Sequence, residues 1–250
     1  MEGLRSRIIA ALTERLKREP DVRAVWLEGA DAAGYVDEFS DIDLCCSVEA
    51  SLLENVGALA QSALETIGPV DMVNRLSGPD FQRHTVFHLA GSSPFLLIDF
   101  VAYQAGRGSK FIAGDEIEQP LVVFDRGGVV VYCSPEEAKA RQDRPGRLRE
   151  LRESVAQVSR LEKYLARGNF LEAFGYYHKW LLMPLIEVLR MKYTPLHPDY
   201  YIVHISRHLP ADVLAQLEDL AKFNSIAELE LKSKAAVRLF EETASELAAK

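Results

Sequence analysis

The sequence predicts an α/β (α+β) domain followed by an all-α helical bundle, and three observations carry that reading. Strand-length runs rich in Val, Ile and aromatic residues cluster between residues 20 and 132. Past Tyr132 the composition shifts to "SPEEAKARQDRPGRLRELRES", which is charged and interrupted at Pro145-Gly146, as a domain boundary would be. Beyond that stretch apolar residues recur at helical spacing. The expected division is residues 1–135 and 145–250.

Each element follows from its local pattern. Leu4, Ile8, Leu12 and Leu16 fall on one helical face and predict an amphipathic helix that stops near Pro20. "VRAVWLEG" reads as a short strand entering the loop "EGADAAGYVDEF", and a second strand, "SDIDLCCSV", leaves that loop. "SLLENVGALAQSALETIG" has the length and period of a helix, with Ser51 expected as its cap and Gly68 as its stop. "TVFHLA" and "FLLIDFVAY", joined by "GSSP", predict a hairpin, and "LVVFDRGGVVVY" predicts another around Asp125-Arg126-Gly127-Gly128. In the second half Leu148, Leu151, Val155, Val158, Leu161 and Leu165 mark one helix closed by Gly168-Asn169. "FLEAFGYYHKWLLMPLIEVLRMKY" predicts a longer apolar helix kinked at Pro184, its cluster Tyr176, Tyr177, His178 and Trp180 read as core ahead of the lining of a substrate cleft between the domains. "PADVLAQLEDLAKF" and "SIAELELKSKAAVRLFEETASELAAK" complete an antiparallel bundle.

Composition narrows the function classes. The 250 residues are 48% hydrophobic and 26% charged, which is ordinary for a globular chain and excludes a disordered or collagen-like one. No run approaches the roughly 18 apolar residues of a transmembrane helix, and the N-terminus has no signal-peptide pattern. The expectation is a soluble, cytoplasmic protein with no membrane partner. Cys45, Cys46 and Cys133 form an odd set without metal-ligand spacing and are expected as buried thiols. A net charge of −8 opposes binding to a nucleic-acid backbone and favours a small cationic substrate. His197, His204 and His208 lack zinc-site spacing. Arg190 and His197 match the spacing of the HEPN ribonucleases, but Pro195 would break the helix that motif needs. Arg83 and His88 match its shorter version in a strand-like segment, and both matches are read as coincidence.

The chemistry concentrates in "EFSDIDLCCSVE". In a strand Asp41 and Asp43 project from one face with Cα atoms ~6.5 Å apart. At that separation, with an effective dielectric near 20, two carboxylates repel by about 3 kcal/mol, a cost that Ser or Thr would avoid. A hard divalent cation offsets it, since Mg²⁺ takes oxygen ligands from one or two carboxylates together with substrate phosphates. A solvated strand face screened by salt is the competing reading. A third acid, Asp99, sits in "FLLIDFVAY" between apolar neighbours, where an ionised carboxylate calls for a partner or a metal. Gly29, just upstream of the pair, lets the backbone approach a phosphate closely.

With "WLEGADAAGYVDEFSDIDLCCSV" and Asp99 in view, the chain resembles the nucleotidyltransferase superfamily typified by DNA polymerase β and by bacterial antibiotic nucleotidyltransferases of the aminoglycoside and lincosamide type. The resemblance covers about residues 20–132, and the helical half matches in architecture. It implies a mixed sheet, with Asp41, Asp43 and Asp99 as catalytic residues and metal ligands. Gly29, Ala30 and Ser40 would line the nucleotide site. The cofactor would be Mg²⁺ or Mn²⁺, and the co-substrate an NTP, ATP foremost. Family chemistry is in-line attack of a hydroxyl on the α-phosphorus with release of pyrophosphate, and the base is Asp99 or a carboxylate of the helical domain. The implied acceptor is a small, antibiotic-like and cationic molecule, and a homodimer stays open. Two positions depart from the pattern: Ala30 stands where a Ser is usual, and Ala33 where a base is common. Asp31, Asp37 and Glu38 add negative charge there, so nucleotide binding is expected to rely on the metal and backbone amides, with Lys or Arg reaching in from elsewhere. Arg107, Lys110 and Arg126 are the candidates, weighed against ordinary surface placement. The departures keep two alternatives in play, a catalytically degenerate module that binds a nucleotide or a partner, and a protein- or RNA-modifying nucleotidyltransferase.

Overall fold

Leu4–Lys17 (α1) comes first, and its Ile8, Leu12 and Leu16 are fully buried, as their spacing predicts, whereas Leu4 of the same stripe is exposed in the first turn. The computed structural model describes residues 3–107 and 110–249 and divides into two compact units, Met1–Pro135 and Glu136–Lys250. In the first unit α1 is followed by β1 (Val22–Leu27), α2 (Gly29–Ala33), β2 (Ile42–Val48), α3 (Ala50–Leu53) and α4 (Val56–Glu65). Then come β3 (Val70–Leu76), β4 (Gln82–Leu89), β5 (Ile98–Gln104), β6 (Lys110–Ile112), β7 (Leu121–Asp125) and β8 (Val131–Cys133).

The main sheet has the order β3-β4-β5-β2-β1-β7 and is mixed, as expected. β2 and β5 run parallel in its centre, and every other neighbouring pair is antiparallel. Alternation along β2 separates two faces. Leu44, Cys46 and Val48 join Val25, Phe87 and Phe100 in a core with residues of α1 and α4. Cys45 faces the other way, where it packs with Ala24, Trp26 and Phe111. All three cysteines are buried and unbridged.

Several local expectations give way to long-range pairing. β4 and β5 do form the first expected hairpin. The second does not form: β7 pairs with β1, while β8 pairs in parallel with β6 in a separate two-stranded sheet. Asp125 turns the intervening chain away by accepting the amide N–H groups of Val129 and Val130 at 3.0 and 3.1 Å. Arg126 anchors the same turn by donating to the carbonyls of Lys17, Glu19 and Val22, so it serves the end of α1. Ser51 is not a helix cap: α3 already begins at Ala50, and the Ser51 hydroxyl bonds Asp21. The expected single helix is two, broken at Asn55. The segment "VDMVNRL" is an additional strand, β3, mostly exposed and without the buried alternation that identifies a strand.

The second unit is helical, as expected. It contains α5 (Pro135–Ala140), α6 (Arg144–Val155), α7 (Val158–Ala166), α8 (Phe170–Tyr177), α9 (Met183–Tyr193), α10 (Ile205–His208), α11 (Ala211–Ala221) and α12 (Ile226–Ala248). Pro145 and Gly146 lie in the first turn of α6, where Asp143 accepts the Gly146 amide at 3.0 Å. The stripe expected on one helix is shared between α6 and α7, yet Leu148, Leu151, Val155, Leu161 and Leu165 are all buried. Between α8 and α9 the chain makes a π turn over His178–Leu182. Pro184 follows it and has no N–H to return, so the wider turn takes up the broken ladder. Tyr177 is fully buried in the core and donates to the Leu220 carbonyl at 2.9 Å, while Tyr176, partly buried against that core, stacks on Tyr164. Arg190 is also fully buried. Its guanidinium serves the carbonyls of Tyr201 and Val203 and Nδ1 of His208, a structural use that accounts for it without a nuclease motif. No helix among the described residues is long and apolar enough to cross a membrane.

Candidate functional site

Parallel pairing of β2 with β5 sets Asp43 opposite Asp99, and Asp41 enters one residue ahead of β2 on the same side. Each of the three contributes a carboxylate oxygen to a group whose atoms all lie within 4.8 Å of one another. The residues predicted to act together are therefore brought together, each partly open to solvent. Burial pushes the Asp43 carboxyl up to about 7, and the negative charges of Asp41, Asp99, Glu28 and Asp31 push in the same direction. The cluster is thus under electrostatic stress that a cation would relieve.

Gly29 stands against this cluster. Its φ of +57° is a conformation that L side chains rarely adopt, and a Cβ built on it would lie 2.1 Å from Oδ2 of Asp43. The close approach that the sequence assigned to a phosphate is, in the protein alone, an approach to a carboxylate. Ala30 is buried inside α2, and its carbonyl accepts the amides of Gly34 and Tyr35. The hydroxyl of Ser40 is engaged within the loop, bonding Oδ1 of Asp37 at 2.8 Å and accepting the Asp37 amide at 3.0 Å.

Three residues that sequence reasoning missed hold the site. Arg5 of α1 reaches across to the loop: it ion-pairs with Asp31, donates to the Ser40 carbonyl at 2.8 Å and donates to the Asp41 carbonyl. Asp31, counted as surplus negative charge, is neutralised there, and the start of β2 is tied to α1. Glu28 accepts the Trp26 indole N–H at 2.7 Å, while burial raises its pKa. Its own amide donates to the Asp43 carbonyl at 3.0 Å. On the far side His84 of β4 meets Asp99, with Nε2 2.7 Å from Oδ1. Arg5 lies 36 residues from Asp41, whose carbonyl it holds, and His84 lies 15 from Asp99, with no local pattern to mark either. Of the basic candidates, Arg107 and Lys110 line a cavity of about 330 Å³ with Trp26, Ser47, Tyr103 and Phe111, on the sheet face that also carries the acids.

A donor set of three carboxylates, all hard oxygen ligands, fits a divalent cation such as Mg²⁺ or Mn²⁺. The missing Cβ at Gly29 leaves the room that the Asp43 carboxylate occupies within that set.

No family model matches the chain, and no curated protein matches it. Among solved structures the chain is similar to an aminoglycoside 6-adenyltransferase from Bacillus subtilis at 13% identity and a TM-score of 0.35, with 98% of this chain and 90% of that one covered. It is also similar to a STING-associated CdnE c-di-GMP synthase from Capnocytophaga granulosa at 12% identity and a TM-score of 0.32, over 98% of this chain and 82% of the other. At these values the likeness adds no weight to the reading of the site, which stands on the three aspartates and the groups that hold them.

Proposed function

We propose that the chain is a nucleotidyltransferase that moves a nucleoside monophosphate from an NTP, ATP foremost, to a hydroxyl of a small molecule and releases pyrophosphate. The observation that carries this reading is the convergence of Asp41, Asp43 and Asp99 within 4.8 Å beside a glycine with no room for a side chain. These three residues would hold Mg²⁺ or Mn²⁺, which when bound supplies charge neutralisation at the phosphoryl oxygens.

The remaining work falls to the chain's own groups. Arg5 fixes the loop and the entry of Asp41 into β2. Glu28 and Gly29 set the place of Asp43 through a backbone bond and a close approach. The acceptor oxygen forms its bond to the α-phosphorus as the bond to the bridging oxygen of the departing pyrophosphate breaks, and the acceptor proton passes to a carboxylate, with Asp99 the first candidate. A small cationic acceptor suits a chain of net charge −8.

One observation favours a second reading, a module that binds NTP without turnover. Ala30 has no hydroxyl to offer, and Arg5, the base that reaches the loop, is spent on Asp31 and two carbonyls. Thermal melts with Mg-ATP, and pyrophosphate release with a panel of hydroxylated acceptors, separate the two. A nucleotide at 100 times its Kd adds about 2.7 kcal/mol of stability, and the double variant Asp41→Asn/Asp43→Asn loses that gain. An equal rise in the double variant removes the site from consideration. Stabilisation without pyrophosphate from any acceptor leaves the binding module.

A further inference from the structure

We propose that His84 is a positioning residue for Asp99, holding the third carboxylate in the orientation that cation binding requires. This rests on the reading of the three aspartates as a cation and NTP site.

In the antiparallel pairing of β4 with β5, Val86 lies opposite Asp99 and His84 lies opposite Val101. His84 and Asp99 are therefore diagonal neighbours on one sheet face, a relation that longer side chains bridge. The imidazole does so with a 2.7 Å contact from Nε2 to Oδ1, at side-chain exposures of 26% and 22%. An ionised carboxylate only accepts, so this bond calls for the imidazole form that carries a proton on Nε2.

Without such a bond an aspartate on a strand has several χ1 wells and a broad χ2, and its flanking neighbours Ile98 and Phe100 are apolar core residues that face the other way. A ring from a neighbouring strand fixes one oxygen and so fixes where the carboxylate stands. Carboxylates that bind metals are commonly held in this way, and loss of the holding group typically costs 10–100-fold in affinity. His88, two turns of the pleat further along β4, shows the contrast: it bonds Asp71 of β3 and the Ser93 carbonyl, away from the acids.

Electron paramagnetic resonance of free Mn²⁺, titrated against the full chain, reads the effect without turnover. His84→Ala is expected to weaken Mn²⁺ binding by roughly 10-fold or more. His84→Gln, whose amide reaches about as far as Nε2 and carries no charge, is expected to restore most of it. Val86→Ala, which changes the residue opposite Asp99 without touching the bond, is the control for packing and should bind like wild type. In turnover His84→Ala should raise the Mn²⁺ needed for half-maximal pyrophosphate release. Wild-type Mn²⁺ affinity in His84→Ala overturns the proposal, and so does an equal loss in His84→Gln, which would point to charge. Asp41→Asn/Asp43→Asn tells the two layers apart: if that variant binds Mn²⁺ normally the site reading falls, and if it does not while His84→Ala does, only the role of His84 falls.

Discussion

Asp43→Asn should stabilise the cation-free protein at neutral and alkaline pH. The Asp43 carboxyl moves from 3.8 to about 7 on folding, chiefly by burial and then by repulsion from Asp41 and Asp99. A raised folded-state pKa means that the folded chain binds the proton more tightly, so the penalty is absent below the unfolded pKa. It grows between about pH 4 and pH 7 and is constant above. Three units correspond to about 4 kcal/mol, and solvent contact of the partly exposed carboxyl reduces this to about 2–3 kcal/mol. Urea denaturation in EDTA at pH 4.5 and pH 8 measures it. The variant should gain about 2–3 kcal/mol over wild type at pH 8 and much less at pH 4.5. Saturating Mn²⁺ at pH 8 should then stabilise wild type and not the variant, narrowing or inverting the order. An Asp43→Asn chain that is less stable than wild type in EDTA at pH 8, or a difference that does not change with pH, would refute the electrostatic reasoning.

Two further outcomes follow from the loop. Gly29 and Gly34 both have left-handed φ angles, of +57° and +75°, but a Cβ at Gly34 meets open space whereas one at Gly29 meets Asp43. Each Ala variant should lose about 1–2 kcal/mol in denaturation, and only Gly29→Ala should also weaken Mn²⁺ binding; equal binding in both would remove the special role of Gly29. Arg5→Ala strips Asp31 of its ion pair and frees the Ser40 and Asp41 carbonyls, so it should cost about 2–3 kcal/mol and speed amide exchange around residues 37–41. A loss under about 0.5 kcal/mol would show that the loop holds itself.

Features that depend on near neighbours were legible in the residues alone. Alternation along "SDIDLCCSV" placed Asp41 and Asp43 on one face because side chains in a strand repeat every second residue. Helical period likewise marked the buried stripes of α1 and of the second unit, even where one expected helix proved to be two. The pairing of β2 with β5, the register that sets Asp43 against Asp99, and the arrival of Arg5 and His84 from other elements came only with the folded arrangement. The same limit explains why "LVVFDRGGVVVY" read as a hairpin: both runs were competent strands, and their partners, β1 and β6, lay elsewhere in the chain. Propensity is local, whereas the choice of strand partner follows from which faces must be buried together, and that is a property of the whole fold.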